Sequence, residues 1–258
     1  MVDQISIIKH FKMNPNLHIF KTPEELADEF AGQLMSWIEN HSGKAFHLAI
    51  SGGKTPDLLF SVLAEKYADS ILWQNVHFWW VDERMVSPDD PESNFGVANK
   101  LLFSKIKLPE ENIHRIKGEN APKVEALSYS TQIREKLPMS DGWPIFDLIL
   151  LGMGDDGHTA SIFPNQIHLL NSKLICEVAV HPQIGQKRIT LTGKVINRAS
   201  KVCFLVTGAN KADRMAEIWE NQEKANLLPA AKIHPDSGDL SWYLDELASP
   251  FEVKPTNF

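Results

Sequence analysis

Short apolar runs alternate along the chain with longer stretches whose apolar positions recur at i, i+3 and i+4, and these two periods separate strands from helices. Thr22-Pro23-Glu24-Glu25 has the hydroxyl, proline, acid order of a helix entry, and Leu26, Phe30, Leu34 and Ile38 then fall on one face. This predicts a helix to about Asn40, before Gly43. Phe46 to Ile50 reads as a strand ending in Ser51-Gly52-Gly53, followed by a helix over Pro56 to Tyr67 with Leu58, Leu59, Val62 and Leu63 on its apolar face. Val76 to Val81 is a further strand, stopped by Asp82-Glu83-Arg84. A polar loop then leads to helices over Phe95 to Phe103 and Val124 to Leu137. Ile145 to Leu151 is the most apolar strand and runs into Gly152-Met153-Gly154-Asp155-Asp156-Gly157-His158. Strands at Leu174 to Val180, Ile189 to Thr192 and Lys201 to Thr207 follow, with a helix from about Lys211 to Gln222 and a short one near Leu227 to Lys232.

Apolar strands separated by helices imply a largely parallel sheet joined by crossovers. The expected fold is therefore α/β: a mostly parallel, Rossmann-like open sheet flanked by helices on both faces, with a small additional α/β region. The 258 residues contain no Ser/Gly linker, repeat or low-complexity tract, which favours one domain over residues 1–258 rather than two. Hydrophobic residues at 43% and charged residues at 23% are ordinary for a globular protein and exclude disorder, collagen-like and coiled-coil classes.

A net charge of −7, from 33 acidic and 26 basic residues, argues against broad electrostatic capture of nucleic acid or an anionic membrane. A small molecule held in a local basic pocket is the expected partner. Met1 to Phe11, interrupted by Asp3 and Lys9, lacks the apolar stretch of a signal peptide, and no segment has the run of apolar residues that a membrane span requires. The expected location is the cytoplasm. Cys176 and Cys203 stand in apolar runs without CxxC spacing and are expected to be reduced core thiols.

In an open α/β sheet, ligands sit beyond the carboxyl ends of the strands, where loops and helix N-termini share one edge. Four such loops are rich in polar residues: Ser51 to Pro56, Asp82 to Arg84, Gly152 to His158, and Thr207-Gly208-Ala209-Asn210-Lys211. The first has what a phosphate cradle requires: glycines that let N–H groups approach an anion, donor hydroxyls at Ser51 and Thr55, and a helix starting at Pro56. It lacks the GxxxxGK[ST] pattern, and a plain strand-to-helix turn with a solvated Lys54 fits the same residues.

Gly152-x-Gly154-x-x-Gly157 has dinucleotide-binding spacing, but Asp155 and Asp156 stand where a pyrophosphate would approach and would repel it. A catalytic turn fits better: Asp156 fixes the tautomer of His158 and supports its imidazolium form, with a structural loop histidine as the alternative. Arg84 has the planar fork to clamp a phosphate or carboxylate and Asp82 is placed to touch sugar hydroxyls, although the bare tripeptide also fits a surface salt bridge. Lys187-Arg188 opens a strand. Lys211, at a helix start, is unfavourable for the helix dipole unless an anion binds nearby. His77-Phe78-Trp79-Trp80 reads as packing rather than a stacking platform. With no HxH, HExxH or clustered Cys/His set, neither metal nor cofactor is expected, and chelation is expected to leave activity unchanged.

Five blocks together resemble the 6-phosphogluconolactonases, within a wider group that includes the glucosamine-6-phosphate deaminases. They are Ser51-Gly52-Gly53-Lys54-Thr55-Pro56; Trp80-Val81-Asp82-Glu83-Arg84 with Ser93-Asn94-Phe95-Gly96; the run from Phe146 to Pro164; Arg188-Ile189-Thr190-Leu191-Thr192; and Val206-Thr207-Gly208 with Lys211. They occur in that family's order and cover most of the chain. The similar deaminases carry Asn-Glu-Pro after the shared histidine, whereas Thr159-Ala160-Ser161-Ile162-Phe163-Pro164 has no carboxylate, which is the lactonase pattern.

The resemblance implies hydrolysis of 6-phospho-D-glucono-1,5-lactone to 6-phosphogluconate, the second step of the oxidative pentose phosphate pathway. A δ-lactone is an activated ester, so general-base delivery of water suffices. The expectation is that His158 takes a proton from water attacking C1, Asp156 orients His158, and the imidazolium protonates the departing ring oxygen. Backbone N–H groups of a glycine turn would meet the oxyanion. Phosphate recognition is implied for Ser51, Gly52, Gly53, Lys54 and Thr55 with Arg84, Arg188 and Lys211, and a sugar-hydroxyl or water contact for Asp82. The family's proline-rich approach to the Arg188 strand is replaced by His181-Pro182-Gln183-Ile184-Gly185-Gln186-Lys187, which leaves the role of Lys187 open. The protein is expected to work as a monomer or small homo-oligomer. The alternatives are a glucosamine-6-phosphate deaminase or isomerase, and a non-catalytic sugar-phosphate sensor, which predicts loss of the Asp156–His158 pair.

Overall fold

The computed structural model describes residues 16–41 and 44–251; the signal-peptide reading of Met1 to Phe11 and the helix stop at Gly43 lie outside them. The chain begins with β1 (Asn16–Phe20) and α1 (Pro23–Asn40). Thr22 caps α1 by accepting the Glu25 N–H at 3.2 Å, Pro23 occupies the first turn, and the predicted stripe of Leu26, Phe30, Leu34 and Ile38 is buried. β2 (Phe46–Ile50), α2 (Lys54–Lys66) and β3 (Val76–Trp80) form the first strand–helix–strand unit. After β4 (Asp82–Arg84) come α3 (Asn94–Leu101), β5 (Ile113–His114), α4 (Pro122–Lys136), the short β6 (Met139–Ser140) and β7 (Trp143–Pro144), and β8 (Leu148–Leu151). The remainder comprises β9 (Cys176–Val180), β10 (Lys187–Leu191), α5 (Gly193–Asn197), β11 (Val202–Val206), α6 (Ala212–Trp219) and β12 (Leu240–Asp245).

Seven strands form one sheet in the order β1-β12-β11-β8-β2-β3-β5, every neighbouring pair parallel. Every residue of β2, β8, β11 and β12 is buried, as required of strands covered on both sides by flanking helices. A second, three-stranded antiparallel sheet has the order β4-β10-β9, and β6 pairs with β7. The His77–Trp80 stretch packs inward as predicted: Trp79 stacks on His114 at 3.9 Å, and Trp80 meets Phe95 and Phe103 edge-on. Cys176 and Cys203 are buried and unpaired, and burial pushes the Cys176 thiol up to about 12. Among the described residues no helix is long and apolar enough to cross a membrane.

Several local expectations are corrected. Asp82-Glu83-Arg84 is not a loop but β4, whose extended backbone pairs with β10. β9 and β10 do not belong to the parallel sheet; only six residues, 181–186, separate them, too few for a crossover and enough for a hairpin. α2 starts at Lys54, two residues before Pro56, and α6 is shorter than the predicted helix. The segment near Leu227 to Lys232 forms two 3-10 turns. The edge strands β1 and β5 and the buried β12 escape prediction altogether.

Candidate active site

The loops following β2, β3, β8 and β11 converge at the carboxyl edge of the parallel sheet around a cavity of about 380 Å³. This lies at the lower end of the roughly 300–1,000 Å³ usual for small-molecule sites. Ser51, Gly52, Gly53, Lys54 and Thr55 form one wall. Gly53 caps α2 at φ 115, a conformation that favours glycine, and the first turn of the helix, Lys54 to Pro56, lines the cavity. The Ser51 hydroxyl does not fulfil the expectation of a free donor, because it donates to the Leu150 carbonyl at 2.8 Å. Thr55 Oγ1 shares a hydrogen bond with Thr207 Oγ1 at 2.7 Å.

The second wall comes from β4 and β10, which bring Asp82, Arg84 and Arg188 to the cavity. Glu83, by contrast, points into the fold. Its carboxylate accepts the Asn94 and Phe95 N–H groups at 2.9 and 2.8 Å and the Ser93 hydroxyl at 3.2 Å, fixing the start of α3. Burial raises its pKa, and the N–H groups of Phe95, Asn94 and Arg84 oppose that shift. Asp82 accepts the Ser161 hydroxyl at 2.6 Å, and its carbonyl accepts the Asn94 side-chain amide at 2.9 Å. Burial pulls the Arg188 guanidinium below its usual range; Asp82 opposes this and the neighbouring Arg84 charge adds to it. Lys187 stays outside: its side chain is exposed and its carbonyl accepts the Met85 N–H at 3.1 Å.

The turn after β8 supplies the third wall. His158 lines the cavity, and Asp156 stands behind it with Oδ1 2.5 Å from Nδ1 and 3.1 Å from the His158 backbone nitrogen. Burial works to raise the Asp156 pKa, but the hydrogen bond and charge of His158 outweigh it and hold the carboxyl at about 2. With Nδ1 occupied, Nε2 is the nitrogen left for chemistry. Gly154 makes room for this ring: a Cβ there would come within 2.1 Å of His158 Cε1 and Nδ1. The dinucleotide spacing leads into no helix here, since residues 155–162 form turns and a Thr159–Ile162 bridge.

Lys211 reaches the cavity from the loop after β11, paired with Asp155, which also accepts the Asn210 amide at 2.7 Å. Lys211 is first among the groups holding the Asp155 carboxyl below its usual range. All the candidate residues thus meet at one cavity except Asp156, which touches it through His158. The sequence reading missed Asn94, Ala160 and Asn210 as lining residues and Asp155 as the partner of Lys211. The signal available in the sequence for Asn94 was the Ser93-Asn94 pair, polar residues of helix-entry type ahead of Phe95. Among the described residues no three His, Cys, Asp or Glu side chains cluster as a metal set.

A parallel α/β sheet with glycine turns, clustered cations and an imidazole–carboxylate pair at its carboxyl edge defines a class of protein that holds a small anionic molecule beside a proton-transfer group. Residues 21–242 match the model of the glucosamine-6-phosphate isomerases/6-phosphogluconolactonase family. A 6-phosphogluconolactonase of Aggregatibacter actinomycetemcomitans is 44% identical over 236 residues, covering 91% of this chain and 98% of that one. One from Haemophilus influenzae is 45% identical over 231 residues, covering 89% and 96%. The solved structure of 6-phosphogluconolactonase from Trypanosoma brucei, 27% identical, superposes with a TM-score of 0.80 over 92% of this chain and 98% of that one. The chain belongs to the glucosamine-6-phosphate isomerase/6-phosphogluconolactonase family.

Proposed function

We propose that this protein hydrolyses 6-phospho-D-glucono-1,5-lactone to 6-phospho-D-gluconate in the pentose phosphate pathway, in the cytoplasm, as one α/β domain working as a monomer or small homo-oligomer. The observation that carries the reading is the His158–Asp156 pair opening on a cavity whose facing wall holds Arg84 and Arg188. The names of the relatives at 44% and 45% identity, and the lack of a carboxylate between Thr159 and Pro164, favour the lactone over an amino sugar as substrate.

Neutral His158, its Nδ1–H held by Asp156, accepts a proton at Nε2 from the water that attacks C1. The new C–O bond forms as the carbonyl electrons move onto oxygen. Collapse of that intermediate breaks the bond from C1 to the ring oxygen, and the imidazolium returns the proton to the leaving alkoxide. Asp156 stays anionic throughout and stabilises the imidazolium while it exists. The phosphate lies against the cations and the N-terminus of α2. Asp82, fixed by Ser161, is placed to accept a hydrogen bond from a sugar hydroxyl.

The test follows consumption of freshly generated lactone, corrected for spontaneous hydrolysis, by the wild type and by His158→Ala. The expected result is an enzymatic rate in the wild type, lowered about 10²–10⁴-fold in the variant, with binding of 6-phosphogluconate retained. A wild type that gives no excess rate, or that releases ammonia from glucosamine 6-phosphate instead, overturns the reaction. Equal rates from both proteins overturn the role of His158.

A further inference from the structure

The antiparallel register of β4 and β10 sets Arg84 directly opposite Arg188. Like charges at facing ladder positions repel. The ion pairs among the described residues involve neither arginine. What holds the two side chains is neutral: Arg84 Nη1 donates to the Glu92 carbonyl at 2.6 Å, and Arg188 Nε donates to Gln186 Oε1 at 3.2 Å. The other end of the same amide closes the circuit, with Gln186 Nε2 donating to Glu92 Oε2 at 3.0 Å. Arg188 also rests over the Phe163 ring at 5.7 Å, and Arg84 Nε is buried without a partner.

A carboxylate at position 186 would fix Arg188 equally well but would cancel its charge. An amide fixes it and leaves the charge for the ligand. We propose that Gln186 is a positioning residue: by bridging Arg188 to the Glu92 loop, it holds two guanidiniums, neither of them tied up in an ion pair, side by side for one phosphate dianion, and so sets the preference for phosphorylated over unphosphorylated ligands. The identity of that ligand rests on the lactonase reading, whereas the anion clamp itself does not require hydrolysis.

Calorimetric titration of the full chain with 6-phosphogluconate and with inorganic phosphate tests this in the wild type, Gln186→Leu and Gln186→Glu. Lactone kinetics and thermal melting are run on the same proteins. In Gln186→Leu the affinity for both anions falls roughly tenfold, as for loss of a hydrogen bond to a charged group. KM rises in parallel, while kcat and the melting temperature are unchanged. Gln186→Glu binds more weakly still, because it neutralises Arg188 and faces the Glu92 carboxylate. Unchanged affinity in Gln186→Leu, equal or tighter binding in Gln186→Glu, a parallel fall in kcat and melting temperature, or a wild type that binds neither anion each overturns the proposal. A wild type that binds 6-phosphogluconate but hydrolyses no lactone defeats the lactonase reading alone, and the affinity comparison still decides the clamp.

Discussion

Asp156→Asn separates the two tasks assigned to the carboxylate. The 2.5 Å contact with His158 Nδ1 both fixes the tautomer and places a negative charge beside the imidazolium. With its pKa at about 2, the group is anionic at any practical assay pH. The oxygen that accepts Nδ1–H also accepts the His158 backbone N–H at 3.1 Å, which selects the amide oxygen over the amide nitrogen at this place in the asparagine variant, so the tautomer is retained and only the charge is lost. Hydrogen bonds to charged partners contribute about 1.5–3 kcal/mol against about 1 kcal/mol for neutral ones. The Asp156 side chain is 43% exposed, so solvent screening keeps the loss toward the low end. A transition state raised by about 0.5–1 kcal/mol lowers kcat roughly 2- to 5-fold. Asp156→Ala, which also frees the ring, is expected to lose about tenfold more. KM stays constant in both, since Asp156 does not line the cavity. Initial rates on freshly generated lactone across several concentrations supply the readout. An asparagine variant as fast as the wild type refutes the reasoning, as does an alanine variant no worse than the asparagine one; a change confined to KM shows that Asp156 contacts ligand instead.

Gly154→Ala drives a methyl group into the His158 ring and is expected to lower kcat by about 10² through misplacement of the base, with little change in melting temperature; activity within twofold of the wild type shows that the ring position is not critical. Acid stability is governed by buried histidines on β2, β3 and β5, where Trp79 Nε1 donates to His47 Nδ1 at 3.2 Å and His77 Nδ1 lies 3.0 Å from His114 Nε2. Burial, with neighbouring positive charge adding to it, lowers His47 to about 4 and His114 to about 3. An unfolded histidine titrates near 6.5, so the stabilisation is complete above that pH and is lost as pH falls from about 6.5 toward 4 and 3. By pH 5 the unfolded chain has gained both protons and the folded one neither, about 2 kcal/mol for each site. Urea unfolding at pH 8 and pH 5 measures it. His114→Gln removes about 2 kcal/mol of that difference, leaving the part due to His47 and to His77, whose pKa burial also lowers, and an undiminished difference refutes the assignment.

The loops that carry chemistry were legible because their signal is local. Glycine and charge following an apolar run mark a strand end whatever lies elsewhere in the chain, and all four such segments, three loops and the strand β4, meet at the cavity. What escaped prediction depends on partners distant in sequence. β12 was hidden by Ser241 and Asp245, yet Asp245 is fully buried because it accepts the Gly208 and Ala248 N–H groups at 3.0 and 2.8 Å, which no local period reports. Charge reasoning failed for the same cause at Lys211. A lysine at a helix start suggests a missing anion, but Asp155, 56 residues earlier, already supplies one. At Arg84 and Arg188 the inference runs the other way: a surface salt bridge was the ordinary reading of Asp82-Glu83-Arg84, but Glu83 is spent on α3 and Asp82 on Ser161. The two arginines then face each other, hydrogen-bonded among the described residues only to neutral oxygens, with the nearby carboxylates in no ion pair with them. Guanidiniums without an ion pair therefore stand at the β4–β10 ladder, whereas Lys211 is paired, which is why the proposed clamp puts the dianionic end of the ligand beside Arg84 and Arg188.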